Sequence, residues 1–295
     1  MKKTNLFLTI AAVVNVLAFS GCNKEGFTNE DTNSTSSTNN SSSIVPTKLV
    51  EQDLSVVGYS GKKINNVNIN IYKGETLVET AVTNFIGNAK VNIYPGEYSV
   101  KLTNLPIGYI ADDSYEYVVG TKYAKVEFKC GSSVIDEELP QDHKYKASDI
   151  MYNFDFTDTD NNERSLKALF EEEGKDLVVL TFWATWCGYC LNEFPYFDEV
   201  DASYGDKVEI VGLNADYRNV DTDDRITSFK EEMEIPWTMA LGNYSNLAYN
   251  VFGVDGIPLT VFVSKYGVIE FMQNGMFPSE GDVFTKVETY LEKIG

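Results

Sequence analysis

The sequence predicts a multi-domain chain, an all-β sandwich followed by an α/β domain. Three observations carry this. The 295 residues suit two domains of roughly 150 residues each. Residues 49–130 alternate apolar and polar side chains with period two, the pattern of half-buried strands. From about residue 147 strand-like and helix-like segments alternate. With 43% hydrophobic and 23% charged residues, the bulk of the chain is globular.

Residues 1–21 read as an export signal rather than as fold. Lys2 and Lys3 precede a mostly apolar run of 14 residues, 6–19, too short to cross ~30 Å of hydrocarbon as a mature helix. The run ends at Phe19-Ser20-Gly21-Cys22, which resembles a bacterial lipobox. That resemblance implies lipidation at Cys22 and an extracytoplasmic chain anchored to the cell membrane, where disulfides are permitted. The alternative is an ordinary cleaved secretory signal with an incidental cysteine. Residues 22–47 are expected to be a tether, since 28–43 contain only Ser, Thr and Asn apart from Glu30 and Asp31. A coil of this length spans roughly 25–30 Å.

Residues 48–131 supply the sandwich. Strands are expected at 67–72, 76–83, 89–94, 98–103, 115–119 and 124–130, with turns at 73–75, 84–88 and 95–96. The run Pro95-Gly96-Glu97-Tyr98-Ser99-Val100 and then Leu105-Pro106-Ile107-Gly108-Tyr109 resembles prealbumin-like SpaA/collagen-adhesin B modules of bacterial surface proteins. Many such modules form a Lys–Asn isopeptide bond. Here Leu102 stands at the position of the catalysing acid and 126–130 contain no asparagine, so no such bond is expected. The module is expected to be a spacer or docking element. Cys130, with no evident partner, reads as a buried free thiol.

Charge and histidine content exclude several functions. The chain has 24 basic and 44 acidic side chains, a net charge of −20, which opposes nucleic-acid binding. The imbalance is concentrated: 147–295 holds 28 acids and 10 bases, whereas 1–146 holds 16 and 14. The single histidine, His143, rules out a multi-histidine metal site and reads as incidental. The runs at 171–173 and 221–224 read as solvated or helix-start acids rather than calcium ligands.

Residues 132–146 read as a linker, and 147–295 as the α/β domain. Strands are expected at 154–157, 177–183, 208–214, a short one ending at Ala240, 259–263 and 268–271. Helices are expected at 166–170 (capped by Ser165), from Cys187 to about Tyr204 through Pro195, at 222–233, 246–252 and 282–294. The seven apolar-rich residues 177–183 suit a strand covered on both faces.

Cys187-Gly188-Tyr189-Cys190 follows that strand directly, where a helix begins. The first cysteine then faces unpaired N–H groups and the positive end of the helix dipole, both of which favour a thiolate. The spacing of three puts the second sulfur about one turn away, within reach of a disulfide. The first thiolate can attack a substrate disulfide and the second can resolve the mixed disulfide.

The segment Trp183-Ala184-Thr185-Trp186-Cys187-Gly188-Tyr189-Cys190 is similar to the active-site segment of the thioredoxin family. Glu193-Phe194-Pro195 is similar to its TlpA/ResA-like branch of extracytoplasmic thiol–disulfide oxidoreductases. The resemblance covers 147–295 and implies a thioredoxin-like fold. It implies catalytic roles for Cys187 (exposed nucleophile), Cys190 (buried resolving thiol) and Glu193 (modulator of thiol protonation). It also implies a cis Pro258 beside the disulfide and a backbone at Ile257 that pairs with substrate. Trp186 is a candidate floor of the substrate groove. No cofactor or metal is expected beyond the redox-active disulfide Cys187–Cys190. The implied partners are disulfide-containing extracytoplasmic proteins and a membrane thiol electron donor. Thr181 replaces the buried aspartate of cytoplasmic thioredoxins, leaving proton handling to Glu193 or water. The family's potentials run from about −270 to about −120 mV, and a reducing or intermediate value is expected here.

Other readings of these residues fit less well. An inert structural disulfide would be a poor staple, because a loop this short removes little chain entropy. A zinc site lacks a second ligand pair. A thiol peroxidase of the same fold would want an arginine near Cys187, and Arg164 and Arg218 are remote in sequence. A surface binding protein acting through the sandwich would leave Cys187 and Cys190 dispensable.

Overall fold

The computed structural model describes residues 48–295. The signal segment 1–21, Cys22 and the tether up to residue 47 lie outside the described residues.

The N-terminal module contains β1 (Val50–Val57), β2 (Asn68–Lys73), β3 (Thr76–Val82), β4 (Asn88–Ile93), β5 (Gly96–Thr103), β6 (Tyr109–Ile110), β7 (Tyr115–Val119), β8 (Ala124–Lys129) and β9 (Gly131–Ser132). One sheet has the order β4-β1-β8 and another β3-β2-β5-β7, while β6 pairs with β9. Alternation builds the shared core. Ile69 and Ile71 of β2, Val91 and Ile93 of β4, Val100 and Leu102 of β5, and Tyr117 and Val119 of β7 all point inward. Leu102 therefore serves as a core residue. The strand that sequence analysis did not single out is β1, the middle of its sheet, antiparallel to β4 and parallel to β8. Leu54 to Val57 are all buried, so β1 lacks the clean period-two signature. Cys130 is free and buried, and burial pushes its thiol up to about 11, which makes it unreactive near neutral pH.

Residues 132–146 are packed rather than loose. Val134 and Tyr145 are buried in the core of the following domain. Ser132 Oγ donates to the Tyr266 carbonyl at 2.8 Å. Tyr59 stacks on Tyr266 at 3.9 Å between centroids and donates its hydroxyl to the Lys293 carbonyl at 2.9 Å. His143 lies edge-on to Tyr145 and Tyr152. Composition alone misses this, because the apolar anchors are single residues among acids. Residues 48–295 accordingly belong to one compact unit.

The C-terminal half contains β10 (Asp155–Thr157), β11 (Glu163–Ser165), α1 (Leu166–Glu171), β12 (Leu177–Trp183), α2 (Gly188–Tyr204), β13 (Val208–Asn214), α3 (Asp223–Glu232), β14 (Thr238–Ala240), a π-helical turn at Asn246–Val251, β15 (Leu259–Ser264), β16 (Ile269–Asn274) and α4 (Glu280–Ile294). The five-stranded sheet runs β14-β13-β12-β15-β16. β12 is central, parallel to β13 and antiparallel to β15. Val178, Leu180 and Phe182 enter the core that includes α1 and the π-helical turn, while Leu177, Val179 and Trp183 enter the core with α2, α3 and α4. The expected helix at 246–252 is wider than an α-helix, with Phe252 N–H donating to the Leu247 carbonyl five residues back; apolar spacing does not separate the two forms.

The docking of the two modules has a sensitive point. Gly267 has φ +72°, and an added Cβ would sit 2.5 Å from Val134 N and 2.7 Å from Ser133 C. The obstacle is backbone, so it cannot rotate away. Gly267→Ala is expected to lower stability by about 2 kcal/mol or more, read as a reduced urea midpoint; an unchanged midpoint would contradict this packing.

Candidate active site

The site forms where β12 ends and α2 begins. Cys187 is the N-cap of α2, with φ −86° and ψ 91°, and its Sγ accepts a hydrogen bond from the Cys190 N–H at 3.2 Å. Its own N–H donates to the Ala184 carbonyl at 3.0 Å. Cys187 and Cys190 are joined in a disulfide, with Cα atoms 5.3 Å apart. Cys190 is fully buried and Cys187 is only 6% exposed. The expectation of an openly exposed first cysteine is thus corrected: the Ile257 carbonyl oxygen lies 3.7 Å from its Sγ, and much of the sulfur is covered.

Ile257 and Pro258 form the facing wall, joined by a cis peptide bond. The Pro258 carbonyl accepts from Gly275 N–H at 2.8 Å. Among the described residues the Ile257 N–H meets no backbone acceptor. Beside this wall runs a groove of about 380 Å³ lined by Tyr189, Ile257, Pro258, Gly275 and Met276. Tyr189, inside the Cys-Gly-Tyr-Cys loop, is 69% exposed and offers an aromatic rim.

Trp186 does not line that groove. Its indole N–H donates to Asp216 Oδ1 at 2.8 Å, Tyr217 packs edge-on at 5.0 Å, and the Arg218 guanidinium sits 3.8 Å from the ring centroid. Arg218, remote in sequence, is therefore adjacent to the site. Burial alone would raise the Asp216 pKa, but the N–H groups of Asp221, Trp186, Arg218 and Val220 together hold its carboxyl below the usual carboxylate range. Asp221 accepts from Thr185 N–H at 2.9 Å and from Asn214 Nδ2 at 2.8 Å. Sequence reading took Asp221 for a solvated or helix-start acid. Its partners lie 36 and 7 residues away in the chain, and no local pattern announces such a bond.

Glu193 is fully buried one turn after Cys190, not a solvated helix-start acid. Its Oε2 accepts from Phe277 N–H at 3.1 Å. Burial pushes its carboxyl up to about 7, opposed by that N–H and by the nearby Thr260 hydroxyl. Neither Glu193 Oε1 nor Thr260 Oγ1 has a hydrogen bond of normal geometry, and Thr181 Oγ1 is likewise unpartnered among the described residues. Thr181 and Thr260 face each other across β12 and β15. The carboxyl therefore sits in a polar gap within an apolar core, able to hold or release a proton near neutrality. No group of three His, Cys, Asp or Glu side chains among the described residues converges to hold a metal.

Residues 146–291 match the family model described as Redoxin. The thiol-disulfide oxidoreductase ResA of Bacillus thuringiensis subsp. konkukian is 31% identical over 143 residues, covering 48% of this chain and 75% of its own. The ResA of Oceanobacillus iheyensis is 28% identical over 163 residues, covering 54% of this chain and 79% of its own. A probable thiol:disulfide interchange protein, DsbE-2, of Pasteurella multocida is 32% identical over 103 residues, covering 35% of this chain and 50% of its own.

The buried Glu193 has a consequence for stability. Its folded pKa, about 7, lies above the ordinary 4.5, so between those values the folded state binds more protons than the unfolded state. Stability supplied by the neutral carboxyl is intact below about pH 4.5 and is lost as pH rises through about 7, a change of about 3 kcal/mol. In urea unfolding of the oxidised protein, Glu193→Gln should gain stability relative to the parent between pH 5 and 8. Parallel pH curves for the two proteins would contradict this.

Proposed function

Because the chain belongs to the family of thioredoxin-like thiol–disulfide oxidoreductases that includes ResA, we propose that Cys187-Gly188-Tyr189-Cys190 is its working site and that it acts as a reductant of protein disulfides. The observation that carries this reading is the pairing of Cys187 with Cys190 at the amino end of α2. In the reduced enzyme the helix end and the Cys190 N–H favour negative charge on Cys187 Sγ. That thiolate attacks one sulfur of the substrate disulfide. The sulfur–sulfur bond breaks, the other substrate sulfur leaves as a thiolate, and a mixed disulfide with Cys187 forms. Cys190 gives its proton to the ionised Glu193 carboxylate or to water. It then attacks Cys187 Sγ and releases the second substrate thiolate. Two electrons have passed to the substrate, and the Cys187–Cys190 disulfide remains. A membrane dithiol donor returns the electrons.

The free Ile257 N–H supports recognition of an extended substrate segment, with Pro258 and Tyr189 shaping the groove around it. No cofactor is needed beyond the disulfide. A thiol-peroxidase reading is not favoured, since Arg218 lies on the Trp186 ring and donates no hydrogen bond to Cys187.

The location proposed is extracytoplasmic, with the lipid anchor at Cys22. Among the described residues no helix is long and apolar enough to cross a membrane. Residues 48–131 are proposed as a prealbumin-like platform, joined through 132–146 to the thioredoxin-like domain 147–295. The packed connection supports a role in fixing the orientation of the site rather than in loosely spacing it. Nucleic acid is not a partner in this reading, given the net charge of −20.

Two variants test the chemistry. Cys187→Ser is expected to reduce a peptide disulfide no faster than the uncatalysed reaction. Cys190→Ser should carry out the first step only and accumulate a mixed disulfide visible by mass spectrometry. Full turnover by Cys187→Ser would overturn the proposal.

A further inference from the structure

Arg218 sits next to the reactive pair with its charge uncommitted. Seven of the ten basic side chains in 147–295 stand in ion pairs. Arg218 forms none among the described residues. Of its side-chain donors only Nε is engaged, toward the Tyr217 hydroxyl at 3.4 Å. The guanidinium is nevertheless held in place, centred 3.8 Å from the Trp186 ring. The loop beneath it is fixed by buried Asp216, which accepts from the N–H groups of Arg218 at 2.8 Å, Val220 at 2.5 Å and Asp221 at 2.8 Å, and from the Trp186 indole. Trp186 is the residue before Cys187. A hydrogen-bonded loop thus holds guanidinium donors without side-chain acceptors of their own at Trp186, next in sequence to Cys187, and Arg218 is not among the residues lining the groove of Tyr189, Ile257 and Pro258.

We propose that Arg218 is a substrate-recognition residue that receives a carboxylate flanking the substrate disulfide. This rests on the disulfide-exchange reading of the site. A guanidinium matches the planar geometry of a carboxylate with two parallel donors, and stacking on an aromatic face pre-orders it. The surrounding domain, with 28 acids against 10 bases, disfavours anionic segments on average, so an attractive point near Cys187 also sets the register of an acidic segment. The nearby carboxylates do not compete: Asp216 and Asp221 are occupied by backbone and side-chain donors.

The test uses the full chain, reduced beforehand with dithiothreitol. It reacts with two disulfide-bridged peptides that differ only in bearing Asp or Lys beside the cysteine. The quantity read is the ratio of rate constants, Asp peptide over Lys peptide. Arg218→Gln should lower this ratio about three- to tenfold at low ionic strength, and less in high salt. Arg218→Lys, which keeps the charge but not the paired donors or the ring stacking, should fall between the parent and Arg218→Gln, and Arg218→Glu should lower the ratio further. Lys207→Gln removes the same charge away from the site and should leave the ratio in place. An unchanged ratio in Arg218→Gln, or an equal fall in Lys207→Gln, overturns the inference while leaving disulfide exchange intact. Failure of the parent enzyme to react with either peptide overturns the exchange reading, and the inference with it.

Discussion

The hydrogen bond from the Cys190 N–H to Cys187 Sγ, at 3.2 Å, is where fold and chemistry meet. It exists because a turn of four residues after β12 brings Cys187 to the N-cap of α2, so that a position which usually holds an oxygen acceptor holds a sulfur instead. The same turn sets the two sulfurs within bonding distance. Everything else around the site either fixes that turn or regulates what happens at it. Asp221 ties down the Thr185 N–H just before it, Asp216 ties down Trp186, and the Ile257 carbonyl covers the sulfur from the facing loop.

Glu193 supplies the second element, a proton site in a core that otherwise has little use for one. A fully buried carboxyl with one hydrogen-bond partner among the described residues is expensive to ionise. Thr260 beside it, and Thr181 in register with Thr260 on the adjoining strand, are themselves unsatisfied, so this part of the core is polar without being fully paired. Burial there pushes the carboxyl up to about 7, the range in which the proposed exchange would use a proton acceptor. By the resemblance, Thr181 stands where cytoplasmic thioredoxins carry an aspartate; a buried acid of this chain, Glu193, lies on α2 rather than in the sheet.

Much of this was legible in the residues. β12, β13 and the end of β14 fall where apolar-rich runs predict them, because strands covered on both faces carry few polar residues. Ser165, expected to cap α1, does so by accepting from Ala168 N–H at 3.1 Å. Cys187, Cys190, Glu193, Ile257 and Pro258 come together at one place in the structure. What the residues did not announce are the interactions that span the chain. β1 was not singled out because both of its faces are covered. Arg218 is remote in sequence, and the loop after β13 returns it to Trp186. The segment 132–146 has the composition of a linker, yet Val134 and Tyr145 anchor it. Each of these depends on a partner supplied by another element, and periodicity carries no information about partners.

The account is tested most directly by the ionisation of Cys187 in the reduced protein. In the Cys190→Ser variant, the rate of iodoacetamide alkylation followed from pH 4 to 10 reports the fraction of thiolate. The helix end and the neighbouring N–H predict a midpoint well below the ~8.5 of a free cysteine. A midpoint at or above that value would show that the turn does not stabilise the thiolate, and the mechanism built on it would fail.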